Sequence, residues 1–249
     1  MAESPPCPLC GETGTERYAD IRQGRYHRCR GCDLVWLDPG QRPDAIAERA
    51  FYATHENNPV DPGYRSFLDR LATPLARVLA PGSVGLDYGC GPAPVLAAML
   101  RERGFTVNLY DPFFFPDNAT LRQRYDFVAC SETAEHFHAP GREFARLDTL
   151  LRPGGWLGLM TALRPPREQF AGWHYVRDPT HVCFYSENTL HWLAQHLGWS
   201  CSRVRRDVTL FGKPQADLLR YRWRVTGVTR VINSESPEGE SAPGCPHSN

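Results

Sequence analysis

The spacing of apolar and polar residues changes near residue 83 of this 249-residue chain. Before that point, residues 45–52 and 64–79 carry apolar side chains at helical spacing, which predicts two helices. After it, short apolar runs typical of buried strands alternate with helical periodicity, in the order strand 84–87, helix 94–103, strands 106–110 and 125–130, helix 142–151, strand 156–161 and helix 187–197. This alternation predicts an α/β fold with a doubly wound, mostly parallel sheet covered on both faces.

Capping residues and composition set the limits of the later elements. Ser186 is suited to cap the helix that begins at residue 187, and Gly198 is suited to end it. Residues 199–205 and 207–211 are predicted to form an antiparallel pair that closes the sheet. The final segment, 234–249, is rich in Ser, Glu, Pro and Gly, and it is predicted to be disordered because it has little apolar surface to bury.

Four cysteines distinguish the N-terminal part of the chain. Cys7 and Cys10 form one Cys-x-x-Cys motif, and Cys29 and Cys32 form a second. Two such motifs at this separation are typical of a zinc ribbon, in which four thiolates surround one ion. A four-thiolate shell leaves no open position, so the predicted zinc is structural.

The zinc ribbon has two candidate roles. Its arginines, which include Arg17 and Arg28, suit contact with nucleic acid. Its apolar residues, which include Tyr26 and Trp36, suit packing on the next domain, and the short linker favours this second role. The predicted organisation is a zinc ribbon at 1–38, a helical connector at 39–82, the α/β domain at 83–213 and a C-terminal extension at 214–249.

Charge and hydropathy exclude some classes of partner. The chain has 28 basic and 28 acidic residues, so no global field favours a polyanion, although a local patch such as the arginine-rich stretch 203–230 remains an alternative. We expect no membrane span, because no apolar stretch is long enough. The N-terminus lacks the features of a secretory signal, which predicts a cytoplasmic protein. In that reducing compartment the nine cysteines are expected to be thiols or metal ligands.

A glycine loop follows the first predicted strand of the α/β domain. Glycines at Gly89 and Gly91 let the backbone turn tightly and approach a ligand closely. Asp111 ends the next strand, where an acidic side chain is placed to bind ribose hydroxyls. A dinucleotide site requires a third glycine where this chain has Pro94, which disfavours a nicotinamide-dependent oxidoreductase.

The loop from Asp87 to Gly91 resembles the first motif of class I S-adenosylmethionine-dependent methyltransferases, with Ala93 in place of the usual third glycine. Residues 125–128, 131–136 and 150–156 resemble later segments of that family in the same order. The resemblance spans about residues 64–212, and it implies a Rossmann-like fold, S-adenosylmethionine as cofactor and methyltransferase activity.

The resemblance also implies which residues bind the cofactor. They lie at the ends of the first, second and third predicted strands of the domain: Asp87, Tyr88, Gly89, Cys90, Gly91, Asp111, Pro112, Ser131 and Glu132. Phe113 is expected to flank the adenine, and Tyr64 to close over the site.

Candidate catalytic residues follow from the chemistry of methyl transfer. The reaction is an in-line displacement, and a general base assists when the acceptor carries a proton at neutral pH. His136 is the first candidate base, with Glu135 expected to orient it. His174 and His181 belong to a polar and aromatic segment, 172–185, where they are expected to act with Asp178 as base, orienter or anchors; a second metal site there is an alternative.

The leading function is therefore methyl transfer from S-adenosylmethionine to a polar acceptor, with a small molecule favoured over nucleic acid. The alternative is a zinc-ribbon protein that binds nucleic acid, or an RNA methyltransferase. Salt-dependent RNA binding would support that alternative.

Overall fold

The computed structural model describes residues 4–54 and 58–215. They lie in one compact unit. The predicted C-terminal extension beyond residue 215, its predicted disorder and most of the arginine-rich stretch lie outside the described residues. The predicted domain limits at residues 38 and 82 stay predictions.

The described strands, in chain order, are β1 (Thr15–Ile21), β2 (Gly24–Cys29), β3 (Val35–Leu37), β4 (Val84–Tyr88), β5 (Thr106–Tyr110), β6 (Tyr125–Ser131), β7 (Leu151–Met160), β8 (Cys183–Phe184), β9 (Ser200–Arg203) and β10 (Val208–Gly212). The described helices are α1 (Ala45–Tyr52), α2 (Pro62–Val78), α3 (Val95–Glu102), α4 (Pro140–Leu150), α5 (Arg167–Phe170) and α6 (Glu187–Leu197). The predicted helices and strands are thus confirmed, with small shifts at their ends except at the start of β7.

The central sheet has the strand order β5-β4-β6-β7-β10-β9. Strands β5, β4, β6 and β7 pair in parallel, and β10 runs antiparallel to both β7 and β9. The mostly parallel sheet and the closing antiparallel pair are therefore confirmed. After β5 the chain crosses to the other side of β4, so the strand order reverses next to β4, which is where open α/β sheets bind ligands.

Strand β7 begins earlier than its apolar pattern predicts. Leu151 pairs with Tyr125, and the next paired residue is Trp156, opposite Phe127. Residues 152–155 form a bulge between them, in which Gly154 has a φ of 79°. The glycine permits this left-handed turn, and the chain returns to the ladder after it.

Alternate side chains of the central strands pack on opposite faces of the sheet. In β6, Phe127 and Ala129 belong to the core formed with α2 and α3. Val128 and Cys130 belong to the core formed with α4 and α6. The period of two along a strand explains the division, and both faces are covered, as the alternation of elements predicts.

The N-terminal strands form a separate sheet with the order β1-β2-β3-β8. Its last strand comes from distant sequence, because Phe184 pairs with Val35 and Cys183 pairs with Trp36. The buried side chains of this sheet share one core with α4 and α6. The N-terminal module therefore packs on the α/β domain.

Local capping agrees with the sequence at helix α6. The Ser186 side chain accepts a hydrogen bond from the backbone N–H of Thr189, and the Thr189 side chain accepts one in return, which makes a capping box. Gly198 ends the helix with a φ of 69°. Within the described ranges, no helix combines the length and the apolarity that crossing a bilayer requires.

Candidate active site

A cavity of 590 Å³ lies at the carboxyl ends of β4, β5 and β6. Its walls also include residues of α1, α2 and the segment 131–139. The position matches the reversal of strand order, and the volume lies within the range of small-molecule sites.

The glycine loop forms one wall of this cavity. Gly89 has a φ of 77°, and a Cβ atom there would lie 2.1 Å from Cγ2 of Thr133. The N–H groups of Gly89 and Cys90 both donate to the carbonyl of Tyr110, at 2.8 and 3.2 Å. Gly91 also has a positive φ, of 63°, and a Cβ atom there would point into open space. The loop therefore exposes its backbone to a ligand.

Asp111 fixes the geometry between this loop and the end of β5. Its Oδ2 accepts a hydrogen bond from Gly91 N at 3.0 Å. Its Oδ1 accepts from Phe113 N at 2.8 Å and from Phe114 N at 3.1 Å. These residues and Pro112 all line the cavity, so the buried carboxylate holds two segments of the wall together.

Asp87 contributes a second buried carboxyl group. Its Oδ2 accepts from the backbone N–H of Ala97, in the first turn of α3, at 3.1 Å. Burial raises the pKa of Asp87 to about 7, and the neighbouring Asp111 charge adds to the increase. A cationic ligand in the cavity would favour the ionised form of this group.

The end of β6 supplies polar groups to the cavity. The Ser131 hydroxyl is buried and lacks a hydrogen-bond partner within the described part of the chain, which fits a polar ligand. Glu132 adopts a φ of 47°, and its N–H donates to the carbonyl of Met160 at 2.8 Å. Burial, and then the charge of Glu135, raise the pKa of Glu132 to about 9.

Two of the three predicted catalytic histidines meet in this cavity. The rings of His136 and His181 are 4.7 Å apart between centroids, and both line the wall. Nδ1 of His136 lies 3.0 Å from the carbonyl of Thr180, and Nδ1 of His181 lies 2.7 Å from the carbonyl of Tyr175. Burial lowers the pKa of His181, which favours its neutral form.

Three expectations about individual residues differ from the structure. Glu135 does not orient His136, because the Thr180 carbonyl bonds the imidazole while Glu135 accepts hydrogen bonds from Thr161 and Tyr175. His174 is exposed and lies outside the wall that the described residues form. Tyr88 is buried and does not belong to the wall that the described residues form, and its hydroxyl donates to Glu143.

The other predicted cofactor residues line one cavity: Asp87, Gly89, Cys90, Gly91, Asp111, Pro112, Ser131 and Glu132. Tyr64 and Phe113 line it as well.

Several residues of the site were missed by sequence reasoning. Glu48 of α1 bonds His138 across the cavity wall, with 2.9 Å between Oε1 and Nε2. The Tyr175 hydroxyl contacts both Glu132 and Glu135. The partners of each pair are far apart in sequence, and no local pattern indicates that they are close in space. The only sequence signal was the position of Glu48 on a helix with apolar periodicity.

The four N-terminal cysteines come together away from this cavity. The Sγ atoms of Cys7 and Cys32 are 3.5 Å apart, as are those of Cys10 and Cys29, and all four lie within 4.8 Å of one another. Thiolates around a tetrahedral zinc are about 3.8 Å apart, given Zn–S bonds of about 2.3 Å. The arrangement therefore fits a zinc ion.

Comparison with known proteins identifies the family. A family model described as a methyltransferase domain matches residues 52–204, more than half of the chain. No protein of curated function gives a significant match.

Solved structures with a similar fold include 1,6-didemethyltoxoflavin-N1-methyltransferase from Burkholderia thailandensis, with bound 1,6-didemethyltoxoflavin and S-adenosylhomocysteine. It is 17% identical, with a TM-score of 0.51 over 80% of this chain and 98% of its own. An O-methyltransferase family protein from the same organism is 18% identical, with a TM-score of 0.49 over 70% of this chain and 65% of its own. With the matched domain, the sheet order and the glycine-loop cavity in agreement, the chain belongs to the methyltransferase-domain family and is a class I S-adenosylmethionine-dependent methyltransferase.

Proposed function

We propose that the enzyme transfers a methyl group from S-adenosylmethionine to a small, polar acceptor bound in the same cavity. The observation that carries this proposal is the cavity itself, in which the glycine loop and the histidine pair line one 590 Å³ space. A cavity of this size suits a small molecule better than a polymer. The 1,6-didemethyltoxoflavin-N1-methyltransferase of similar fold binds 1,6-didemethyltoxoflavin together with S-adenosylhomocysteine.

The cofactor side of the cavity is formed by Asp87, Gly89, Gly91, Asp111 and Ser131. The open space beside Gly91 leaves room for the cofactor. The Ser131 hydroxyl, which has no hydrogen-bond partner among the described residues, can form a hydrogen bond with the cofactor. The buried carboxylates of Asp87 and Asp111 give this end a negative potential, which suits a sulfonium cation.

The acceptor side is formed by His136 and His181. Because each Nδ1 faces a carbonyl, each neutral ring carries its proton there and keeps a lone pair on Nε2. An acceptor oxygen or nitrogen attacks the methyl carbon, the carbon–sulfur bond breaks and its electron pair stays on sulfur. The acceptor proton leaves toward this histidine pair. The pair either accepts the proton as a general base or holds a bound group that lowers the pKa of the acceptor.

Calorimetry with S-adenosylhomocysteine tests the cofactor site. Asp111→Ala removes an acceptor of three backbone hydrogen bonds, so we expect binding at least tenfold weaker than in the wild-type chain. Asp117→Ala, at an exposed position of the same connection, is the matched control and is expected to bind normally. Circular dichroism of each variant checks folding. If the zinc-loaded wild-type chain binds neither form of the cofactor, the proposal fails.

We further propose that Cys7, Cys10, Cys29 and Cys32 hold a structural zinc ion. The sulfur separations support this, and so does the burial of Cys7, Cys29 and Cys32. The zinc lies in the N-terminal module, away from the acceptor side, so its role is to stabilise that module. A reducing compartment would keep such thiols available for the ion.

A further inference from the structure

A second cluster of ligand atoms lies in the wall of the active-site cavity. Glu135, His136 and His181 each offer one ligand atom, and these atoms lie within 4.8 Å of one another. We propose that these three residues bind a divalent transition-metal ion at the acceptor end of the cavity. The site is distinct from the four-cysteine cluster and uses different ligand chemistry.

The two histidines are oriented as metal ligands usually are. Nδ1 of His136 donates to the Thr180 carbonyl at 3.0 Å, and Nδ1 of His181 donates to the Tyr175 carbonyl at 2.7 Å. A ligating imidazole typically donates its other N–H to a carbonyl or carboxylate, which fixes the tautomer and the ring. Both rings therefore keep Nε2 free of a proton and able to bind an ion.

Glu135 supplies the carboxylate of the site. Its side chain is completely buried, and within the described residues no lysine or arginine forms an ion pair with it. Oε2 accepts from the Thr161 hydroxyl at 2.8 Å, and Oε1 accepts from the Tyr175 hydroxyl. Each oxygen keeps a further lone pair for an ion. A buried carboxylate without a cationic partner is costly, and a bound cation offsets that cost.

The surroundings increase the negative charge at this position. Glu132 lines the same cavity, and its Oε2 lies 3.3 Å from the Tyr175 hydroxyl oxygen. Asp178 also lines the cavity, with its Oδ2 3.7 Å from Nε2 of His181. Glu135 and Asp178 thus place two carboxylates beside the imidazole pair, which favours a divalent cation over a neutral ligand.

The ligand set indicates the class of ion. Two imidazoles and one carboxylate on one side of an ion leave open positions, and this set suits Zn²⁺, Co²⁺, Mn²⁺ or Fe²⁺ better than Ca²⁺ or Mg²⁺. Ligand bonds of about 2.1 Å place neighbouring ligand atoms about 3 Å apart. Binding therefore draws any of the three side chains whose ligand atoms lie farther apart than this closer together.

The open positions of the ion indicate an acceptor class. His136 and His181 line the cavity, so an ion bound by them faces the acceptor. An ion there would bind an acceptor hydroxyl and lower its pKa, so that the hydroxyl would release its proton to water before methyl transfer and no histidine would have to accept it. Resting on the proposed function, this inference favours acceptors with a hydroxyl beside a second oxygen, which together chelate the ion.

Metal titration of the full chain tests the site. The protein is first loaded with one equivalent of zinc, so that the cysteines are filled, and is then titrated with Co²⁺ by calorimetry and visible absorption. We expect one further equivalent to bind, with the weak absorption of a nitrogen and oxygen site rather than the intense bands of a thiolate site. His181→Ala and His136→Ala are each expected to weaken this binding at least tenfold. Glu135→Gln keeps the side-chain volume and is expected to weaken it as well.

His174→Ala is the matched control, because His174 begins the 3₁₀ turn His174–Arg177 in the same segment and its side chain is exposed. This variant is expected to leave Co²⁺ binding unchanged. S-adenosylhomocysteine binding is measured on every variant, and retained binding shows that the fold is intact. Failure of the zinc-loaded wild-type chain to bind Co²⁺ overturns the inference, as does unchanged Co²⁺ binding in both histidine variants. A chain that binds Co²⁺ but no S-adenosylhomocysteine supports the metal site and overturns the proposed cofactor site.

Discussion

Single residues at the end of β4 combine opposing demands. Asp87 is 3% exposed, and its carboxyl group accepts the N–H of Ala97. Burial raises the pKa of Asp87 to about 7 from an ordinary value of 3.8. The ionised carboxylate therefore destabilises the fold without cofactor, although the same charge suits the sulfonium side of the cavity. Asp87 therefore lowers the stability of the chain without cofactor and favours binding of the cofactor.

We predict that Asp87→Asn changes the pH dependence of stability. A carboxyl group whose folded-state pKa is raised contributes most to the free energy of unfolding below its unfolded pKa, near 4. This contribution is lost as the pH rises to about 7. Over this pH range, the free energy of unfolding of the wild-type chain without cofactor should therefore fall by up to about 4 kcal/mol relative to that of the variant. Above this range we expect no further change in the difference. Thermal unfolding from pH 4 to pH 8 measures the difference. Asp117→Asn, at an exposed position, is the control, and a pH-independent difference for Asp87→Asn would contradict the prediction.

At the scale of elements, one ion pair joins the N-terminal sheet to the α/β domain. Nη2 of Arg164, which follows β7, lies 2.6 Å from Oδ2 of Asp33, and each side chain is 10% exposed. The Ser186 hydroxyl, at the cap of α6, donates to the same oxygen at 2.5 Å. Burial by itself would raise the pKa of Asp33, but the hydrogen bonds from Ser186 and Arg28 and the Arg164 charge hold it below its usual value.

We predict that Arg164→Met destabilises the chain by about 2 kcal/mol, because the buried Asp33 carboxylate then keeps only Arg28 as a cationic partner. Arg167→Met is the matched control, since Arg167 stacks on the same Tyr18 ring but is exposed. We expect the control to cost less than about 1 kcal/mol. Urea unfolding midpoints are compared for the wild-type chain and the two variants. Equal midpoints for the two variants would show that loss of the buried ion pair does not cause the destabilisation.

Across the whole molecule, the four-cysteine cluster is part of the main core. Cys7, Cys29 and Cys32 belong to the same buried cluster as Leu147 of α4 and Leu193 of α6. Strand β8 also continues the N-terminal sheet from within the α/β domain. Loss of the N-terminal module would therefore expose apolar surface of the domain that holds the active site.

We predict that removal of the proposed zinc lowers the unfolding temperature of the entire described unit in one transition. Structural zinc sites contribute roughly 10 kcal/mol to folding. Because the two modules share one core, removal of the ion also destabilises the α/β domain. Calorimetric unfolding with and without a chelator measures it, with S-adenosylhomocysteine binding as a second reading. Cys201→Ser, a cysteine in β9 outside the cluster, is the control. Two separate transitions, with the cofactor-binding one unshifted, would show that the modules are independent.

The sequence by itself determined the features that depend on neighbouring residues. Strand β5 has the predicted limits, and Ser186 and Gly198 bound α6 as predicted, because periodicity and capping act over a few residues. The glycine loop and Asp111 were likewise found from local pattern, since parallel strands place their carboxyl ends at one edge.

The tertiary structure alone decided which distant side chains meet. His174 and His181 lie in one segment, but the turn at His174–Arg177 buries Tyr175 and Val176 and leaves His174 in solvent. Glu135 was expected to orient its neighbour His136, yet it bonds Thr161 and Tyr175 instead. Such contacts depend on how loops close over the sheet, and a local pattern carries no information about that closure.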